Sequence, residues 1–380
     1  MTQTEIHEDN PDLASAAVGP VVDSFVYHDW NSQDEVVSYL SDEWQEFVGF
    51  TGSVGPGFGA RPVAIENPYR DPLGDVVPES SASGYPGSRG VTTIEDARTA
   101  RGLAASVLVP ATGLFVTSDN SPQLPDVLCS AMNDWAYDRW HAMDRKLWTS
   151  AIVSNQNPTG AAAEIRRVAD RGGVAQILLS GNGLGKPFGH PLLRPIFEAA
   201  AEVGLPIALH MGGDTAQDTL TQPVAVASPA TATEYRVLSV QSLMTHFISM
   251  VGQGVFDDFP SLRLMFLGGG VDWLPSYLWR ADLEFRAWGS ATPWVKRKPS
   301  DYLLEHVWIA SYQADFSSAQ TVRQVMETYP GLAHRICYGS GYPLRDCMTP
   351  QTAADYFGVS SDELFRGNAG AYYGRDLRFE

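Results

Sequence analysis

Cysteine is scarce in this chain. Three residues, Cys129, Cys337 and Cys347, are spread over 380 positions, too few and too scattered for a disulfide framework or a zinc knuckle. A reducing, cytoplasmic setting is the expectation. Basic side chains are also short in number: 26 Lys and Arg face 44 Asp and Glu, leaving a formal charge of −18. So negative a surface repels phosphate backbones and anionic lipid head groups, so neither nucleic acid nor a membrane is an expected partner. No stretch reaches the roughly 18 apolar residues that a membrane span needs. The opening MTQTEIHEDNPDLASAAVGP has no apolar core of the kind a signal peptide carries. Internal repeats and low-complexity tracts are missing as well.

What is present is an ordinary globular balance. Hydrophobic residues make up 44% and charged residues 18%, enough apolar material for one large barrel or two modest domains. Short β-rich runs recur at Val21–Tyr27, Ala104–Pro110, Leu147–Val153, Val174–Leu179, Pro206–Met211, Arg263–Leu267, His306–Ser311 and Arg335–Gly339. Helical patterns such as Thr159–Arg171 and Leu193–Val203 lie between them. Strands alternating with helices imply βαβ units and a parallel sheet, and eight of them are what a closed (β/α)8 TIM barrel requires. A doubly wound open sheet would want a Gly-rich phosphate turn after the first strand. None is there, and no cofactor is expected.

Two insertions leave the carboxyl ends of strands, where barrels place their chemistry. After strand one comes an amphipathic stretch, 32–50, with Val36, Val37, Leu40, Trp44, Phe47 and Val48 on one side. A Gly/Pro/Ser-rich segment, 51–90, follows and has the composition of a lid or an oligomer arm. The second insertion, 212–234, follows strand five. The division expected is a tail over residues 1–19 and a single domain over 20–380.

Several long blocks resemble one known group. VVDSFVYHDW, AMNDWAYDRW, NPTGAAAEIRRVADRGGVAQILL, GHPLLRPIFEAAAEVGLPIALHMGGD, GVFDDFPSLRLMFLGGGVDWLPSYLWRAD, ICYGSGYPLRD and FRGNAGAYYG occur in order between Val21 and Leu377. They are similar to the second large amidohydrolase family, which contains the aminocarboxymuconate-semialdehyde and benzoate-type decarboxylases. The resemblance implies a TIM barrel, a small-molecule substrate and a homo-oligomer. It also implies a divalent metal held by an Asp/His-x-His pair on strand one, a His on strand five, a His or Glu on strand six and an Asp on strand eight.

Carried onto this sequence, that pattern leaves one clear donor. Phe25 and Tyr27 stand where the strand-one pair belongs, His210 matches the strand-five His, Gly268 replaces the strand-six donor, and Gly341 and Leu344 replace the Asp and His of the strand-eight block. A divalent ion needs three or more imidazole or carboxylate donors converging at about 2.0–2.2 Å, so no metal is expected. His28, one residue past Tyr27, should point away from it by the strand period of two. Only a register shift would bring Asp23, His28 and His210 together. Asp214, Asp272 and Asp346 read as caps or loop carboxylates. His190, His306 and His334 carry no functional signal. The metal-free lactonases of the family keep the strand-eight Asp, which this chain lacks.

The candidate site is therefore the barrel mouth. His210 is the expected acid–base residue, because imidazole titrates near neutral pH, and Tyr27 the expected hydrogen-bond donor. A relic imidazole and a packing aromatic are the bland alternatives. Phe25, His28, His246, Gly268, Trp273, Gln313, Ser340, Gly341, Tyr342, Leu344 and Arg345, with Asp346 nearby, complete the candidate lining. The glycines at 268 and 341 would open volume for a larger or flatter molecule. The function that follows is a metal-independent cyclase, isomerase or lyase acting on a small aromatic or polyketide-like carbonyl compound. Two alternatives stay open: a metal-dependent hydrolase or decarboxylase with displaced ligands, and a non-catalytic ligand-binding or partner protein.

Overall fold

Each β-rich run becomes a strand. The computed structural model describes residues 20–30, 34–51, 98, 102–118, 123–211, 234, 237–312, 319–342, 344 and 347–378. The strands are β1 (Val21–His28), β2 (Leu103–Pro110), β3 (Leu147–Ile152), β4 (Val174–Ser180), β5 (Ile207–His210), β6 (Leu264–Leu267), β7 (Val307–Ala310) and β8 (Ile336–Cys337). They pair in sequence order, all parallel. The ends of the sheet then meet. Ser24 N donates to Tyr338 O at 2.8 Å, Tyr27 N to Tyr342 O at 2.8 Å and Gly341 N to Phe25 O at 2.9 Å. A sheet closed this way leaves no edge exposed. The TIM barrel expected from the strand–helix alternation is the fold.

Among the described residues the helices are α1 (Asp34–Val37), α2 (Asp42–Thr51), α3 (Leu124–Ala136), α4 (Pro158–Arg171), α5 (Arg194–Val203), α6 (Val240–Gly252), α7 (Val255–Asp258), α8 (Leu274–Trp288), α9 (Pro299–His306), α10 (Ala319–Thr328), α11 (Pro350–Phe357) and α12 (Asn368–Tyr373). α4 shows why they form where they do. Its Ala161, Ala162, Ile165 and Val168 are buried on one face, the spacing of a helix laid on a sheet. Asn157 caps the start, accepting from Gly160 N at 3.1 Å. Gly172, at φ +80°, ends it.

The single helix expected over 32–50 is two. α1 stops after one turn, and α2 starts behind Ser41, whose carbonyl accepts from Gln45 N. The sequence Ser-Asp-Glu at 41–43 is a helix-start signal inside the apolar pattern, and it breaks the run. The expected tail over 1–19 and nearly all of the segment 51–90 lie outside the described residues, as does most of 212–234.

Strand register fixes what meets inside. Ser180 pairs with His210, and His210 with Leu267, so these share one level near the carboxyl ends. At the other end Tyr372 of α12 plugs the barrel. Its hydroxyl lies 3.0 Å from Gln176 Oε1 and 2.9 Å from Ile207 O, and Gln176 Nε2 donates to Ser150 Oγ at 2.9 Å. No helix among the described residues is long and apolar enough to cross a membrane.

Candidate active site at the carboxyl ends of the strands

Residues of a strand alternate between its faces, and β1 divides accordingly. Tyr27 and His210 sit on β1 and β5, opposite one another in an eight-stranded ring. Yet the Tyr27 hydroxyl lies 2.6 Å from His210 Nε2. That contact is possible only through the barrel interior. Phe25 packs beside it, 4.8 Å from the Tyr27 ring and 5.8 Å from the His210 ring, measured between centroids. All three are buried. Burial pushes the His210 imidazole down to about 3, because loss of water disfavours the charged form. The resting imidazole is neutral. Either the phenol donates to a bare Nε2 or Nε2–H donates to the phenolic oxygen, and in both cases one proton is shared across a short bond.

His28 faces the other way. It stacks on Trp135 of α3, with ring centroids 5.7 Å apart and 24° between planes, and meets Trp140 edge-on at 5.5 Å. Burial lowers it to about 3 as well, and neither ring nitrogen has a hydrogen-bond partner among the described residues. It is no lining residue of the mouth, which corrects that assignment, and the grouping of Asp23, His28 and His210 does not form. Asp23 instead ties the barrel seam: its Oδ1 accepts from Phe25 N at 3.1 Å and from Ser340 N at 2.9 Å.

The two glycines do not open volume. Gly341 has φ +69°, and a Cβ there would land in the Tyr312 ring. Gly268 has φ +79°, and its Cβ would crowd Met211 Sδ at 3.1 Å. Positive φ is what keeps both as glycine, and neighbouring side chains have taken the space that donors would fill. Tyr312, 5.6 Å from Phe25, is the mouth residue missed from sequence. The period of two along WIASY, from Trp308 through Ala310, points to it.

The other candidates divide. Ser340 is buried in the turn after β8, its Oγ accepting from Tyr342 N at 3.0 Å. Tyr342 forms an isolated parallel bridge with Val26. Leu344 is buried, and its N–H donates to Gly341 O at 3.0 Å. These three build the seam between β8 and β1. His246 on α6 is buried, packs tilted against Phe188 with ring centroids 4.4 Å apart, and accepts from Phe188 N at Nδ1, 3.1 Å away. Burial holds it at about 3, neutral as an acceptor must be. It anchors the loop after β4 to α6. Trp273 lies on the helix side of β6, 6.0 Å from Phe266 and 5.3 Å from Tyr277, and is corrected from mouth lining to outer packing. Asp272 is exposed. Gln313, Arg345, Asp214 and Asp346 lie outside the described residues.

The donors that converge here among the described residues do not fit a divalent ion. Those strand ends offer one imidazole, already bonded to a phenol, together with a phenylalanine and two glycines. No group of three or more His, Cys, Asp or Glu side chains among the described residues is placed to share an ion. A phenol is a poor ligand for such metals at neutral pH.

An eight-stranded parallel barrel with side chains converging on its carboxyl ends defines a TIM-barrel enzyme scaffold. The amidohydrolase family model matches residues 98–375, and the chain belongs to that family. Among curated relatives, gamma-resorcylate decarboxylase of Rhodococcus jostii is 24% identical over 224 residues, covering 56% of this chain and 64% of that protein. The chain thus spans less than two thirds of that relative. Among solved structures, manganese-bound 5-carboxyvanillate decarboxylase of Novosphingobium aromaticivorans, complexed with 4-hydroxy-3-methoxy-5-nitrobenzoic acid, superposes with a TM-score of 0.68 at 19% identity. That match covers 97% of this chain and 100% of that one. Dihydroxybenzoic acid decarboxylase of Polaromonas sp. JS666, with manganese and 2-nitroresorcinol, gives 0.65 at 16% identity over 95% and 99%. At such identities the likeness establishes the fold. Both neighbours hold manganese, and in that respect they favour the metal-dependent decarboxylase alternative over the metal-free expectation.

Proposed function

We propose that this chain is a lyase-type enzyme that acts on a small hydroxylated aromatic carboxylic acid, with Tyr27 and His210 as its proton-handling pair. The observation that carries the reading is the 2.6 Å contact between the Tyr27 hydroxyl and His210 Nε2 inside the barrel. The decarboxylase relatives support removal of a carboxyl group over a cyclisation or isomerisation. The donor set supports catalysis without a divalent ion at the strand ends.

In this scheme the neutral imidazole becomes basic only when an anion arrives. A substrate carboxylate bound near His210 favours its charged form and raises its pKa. Imidazole and phenol then deliver one proton to the ring carbon that bears the carboxyl group. The bond from that carbon to the carboxyl carbon breaks, carbon dioxide leaves, and the electron pair restores the aromatic ring. Acid–base assistance of this kind is worth about 10²–10⁴-fold.

The manganese of the solved relatives favours a second reading, a decarboxylase whose metal is held by displaced ligands. One experiment separates the two. Purified protein is assayed for elemental content and for carbon dioxide release from a panel of hydroxybenzoic acids, with and without a chelator. Release that survives chelation, with well under one equivalent of metal per chain, is the expected result. About one equivalent of tightly held manganese or zinc, with activity lost on chelation, supports the second reading and overturns the first. No release from any member of the panel overturns the substrate class.

A further inference from the structure

A buried amide at the carboxyl ends of the strands keeps one hydrogen-bond acceptor open. Asn155 follows β3 in the chain and is 0% exposed. Its backbone N–H donates to Thr117 O at 2.9 Å. Its side-chain Nδ2 donates to Ser180 O at 2.5 Å and reaches Thr117 Oγ1 at 3.4 Å. The carbonyl of Ser180 fixes which end of the amide is nitrogen, since two oxygens at that distance would repel. Oδ1 is therefore an acceptor, and it has no partner among the described residues. Burying an amide oxygen unpaired costs about 1–3 kcal/mol. Folded chains carry few such groups, and one beside a reaction site is suited to a donor that a ligand brings.

Register ties this amide to the level of His210. Ser180, whose carbonyl holds it, is the partner of His210 on the neighbouring strand. Paired residues of parallel strands leave the sheet on the same face, so the Ser180 side chain shares the interior with His210. Its Oγ donates to Leu114 O at 3.0 Å, in the 3-10 turns Thr112–Ser118 that follow β2. The segment after β4 clamps the amide from the other side. Leu184 N donates to Gln156 Oε1 at 3.0 Å, and Gln156 Nε2 to Asn182 O at 3.2 Å. Leu184 takes φ +54°, a left-handed conformation that costs a non-glycine residue about 1–2 kcal/mol. A Cβ at Gly183 would lie 2.9 Å from Asn155 O, so glycine lets that segment press close. Strain held in place by surrounding contacts is how a ligand position is preorganised.

We propose that Asn155 Oδ1 accepts a hydrogen bond from a ring hydroxyl of the substrate, and so selects a hydroxylated acid over its unhydroxylated counterpart. The inference rests on the reading of the mouth as a site for such acids. Chemistry sets the orientation. An amide oxygen repels a carboxylate, so the acid group turns away from β3 toward Tyr27 and His210, and the hydroxyl takes the opposite end. Two strand spacings, about 10 Å, separate the β3 and β5 backbones, a distance on the scale of one substituted benzoic acid. A site that pairs with a substrate hydroxyl rejects the analogue lacking it, because the buried acceptor is then left unpaired.

Isothermal titration of the full chain tests this without requiring turnover. The probes are the monohydroxybenzoic acids, their methoxy counterparts, the aminobenzoic acids and benzoic acid itself. Wild type binds one of the hydroxylated acids at least about 10-fold more tightly than benzoic acid or the matching methoxy acid, whose oxygen cannot donate. Asn155→Leu brings these affinities within about 3-fold of one another. It does so by weakening the hydroxylated acid and leaving benzoic acid unchanged, which a general folding defect would not do. Asn155→Ala, a smaller change that also removes the acceptor, gives the same pattern and stands in if leucine is not tolerated. Equal binding of hydroxylated and plain acids by wild type overturns the role of Asn155 and leaves the lyase reading standing. So does a variant that weakens both acids alike. Tighter binding of aminobenzoic acids than of hydroxybenzoic acids overturns the hydroxyl in favour of an amine. Binding of none of the probes overturns the substrate class, and this inference with it.

Discussion

Each end of the barrel is closed by a phenol, and the two phenols do different work. At the amino-terminal end the Tyr372 hydroxyl meets Gln176 and the Ile207 carbonyl, groups that do not titrate. That contact can only hold structure. At the carboxyl end the Tyr27 hydroxyl meets an imidazole, which exchanges protons. Burial is equal at both ends, so the partner's chemistry, and not the phenol or its environment, makes one end structural and the other a candidate for catalysis. The division matches the general rule for such barrels, in which the carboxyl-end face carries the reaction and the opposite face carries stability.

The largest effect that would disturb this contrast is at the mouth. Gly341→Asp puts a Cβ into the Tyr312 ring at positive φ and adds a carboxylate to that buried aromatic corner. The structure predicts a loss of about 3–5 kcal/mol, read as a lower urea midpoint or as insoluble protein. A variant that melts like the wild type would mean that Tyr312 moves freely and that the mouth is looser than its packing indicates.

The next effect pairs the two tyrosines. Tyr27→Phe should lower turnover of the substrate that wild type accepts by about 100-fold and move stability by about 1 kcal/mol. Tyr372→Phe should do the reverse: about 1–2 kcal/mol of stability lost, with turnover unchanged. Equal effects of both substitutions on kcat would erase the distinction between the ends.

The effect that is smallest at neutral pH, where the three buried histidines are largely uncharged in both states, is the acid response. His28, His210 and His246 are all held at about 3 when folded, against about 6.5 in an unfolded chain. The unfolded state therefore binds more protons between those values, and stability falls as pH drops from about 6.5 toward 3. The slope is about 1.4 kcal/mol per pH unit for each group that stays neutral. His28→Phe, whose ring can keep the stack on Trp135, should make a plot of unfolding free energy against pH shallower by about one group's share. An unchanged slope would mean that His28 charges in place.

Much of this was legible in the residues, and for local reasons. The eight runs became eight strands within a residue or two at most ends, since apolar β-branched segments bounded by turn residues leave little alternative. The period of two separated Tyr27 from His28 correctly. The same period along WIASY pointed at Tyr312, a signal present and not used. Other features had no local signature. Nothing near Gly341 says that a ring two residues past the end of β7 would occupy the space next to it. His246, counted from the sequence among the mouth lining, has Phe188 N against its Nδ1.

The sequence by itself determined the alternating strands and helices and the faces of each strand, because both follow from residue type and spacing. Only the tertiary structure decided that Tyr27 reaches His210 across the barrel, that Tyr312 and Met211 fill the glycine positions, and that the Asn155 amide oxygen is buried with no donor among the described residues. Those outcomes depend on where the barrel closes and on how side chains far apart in the chain share a fixed interior volume.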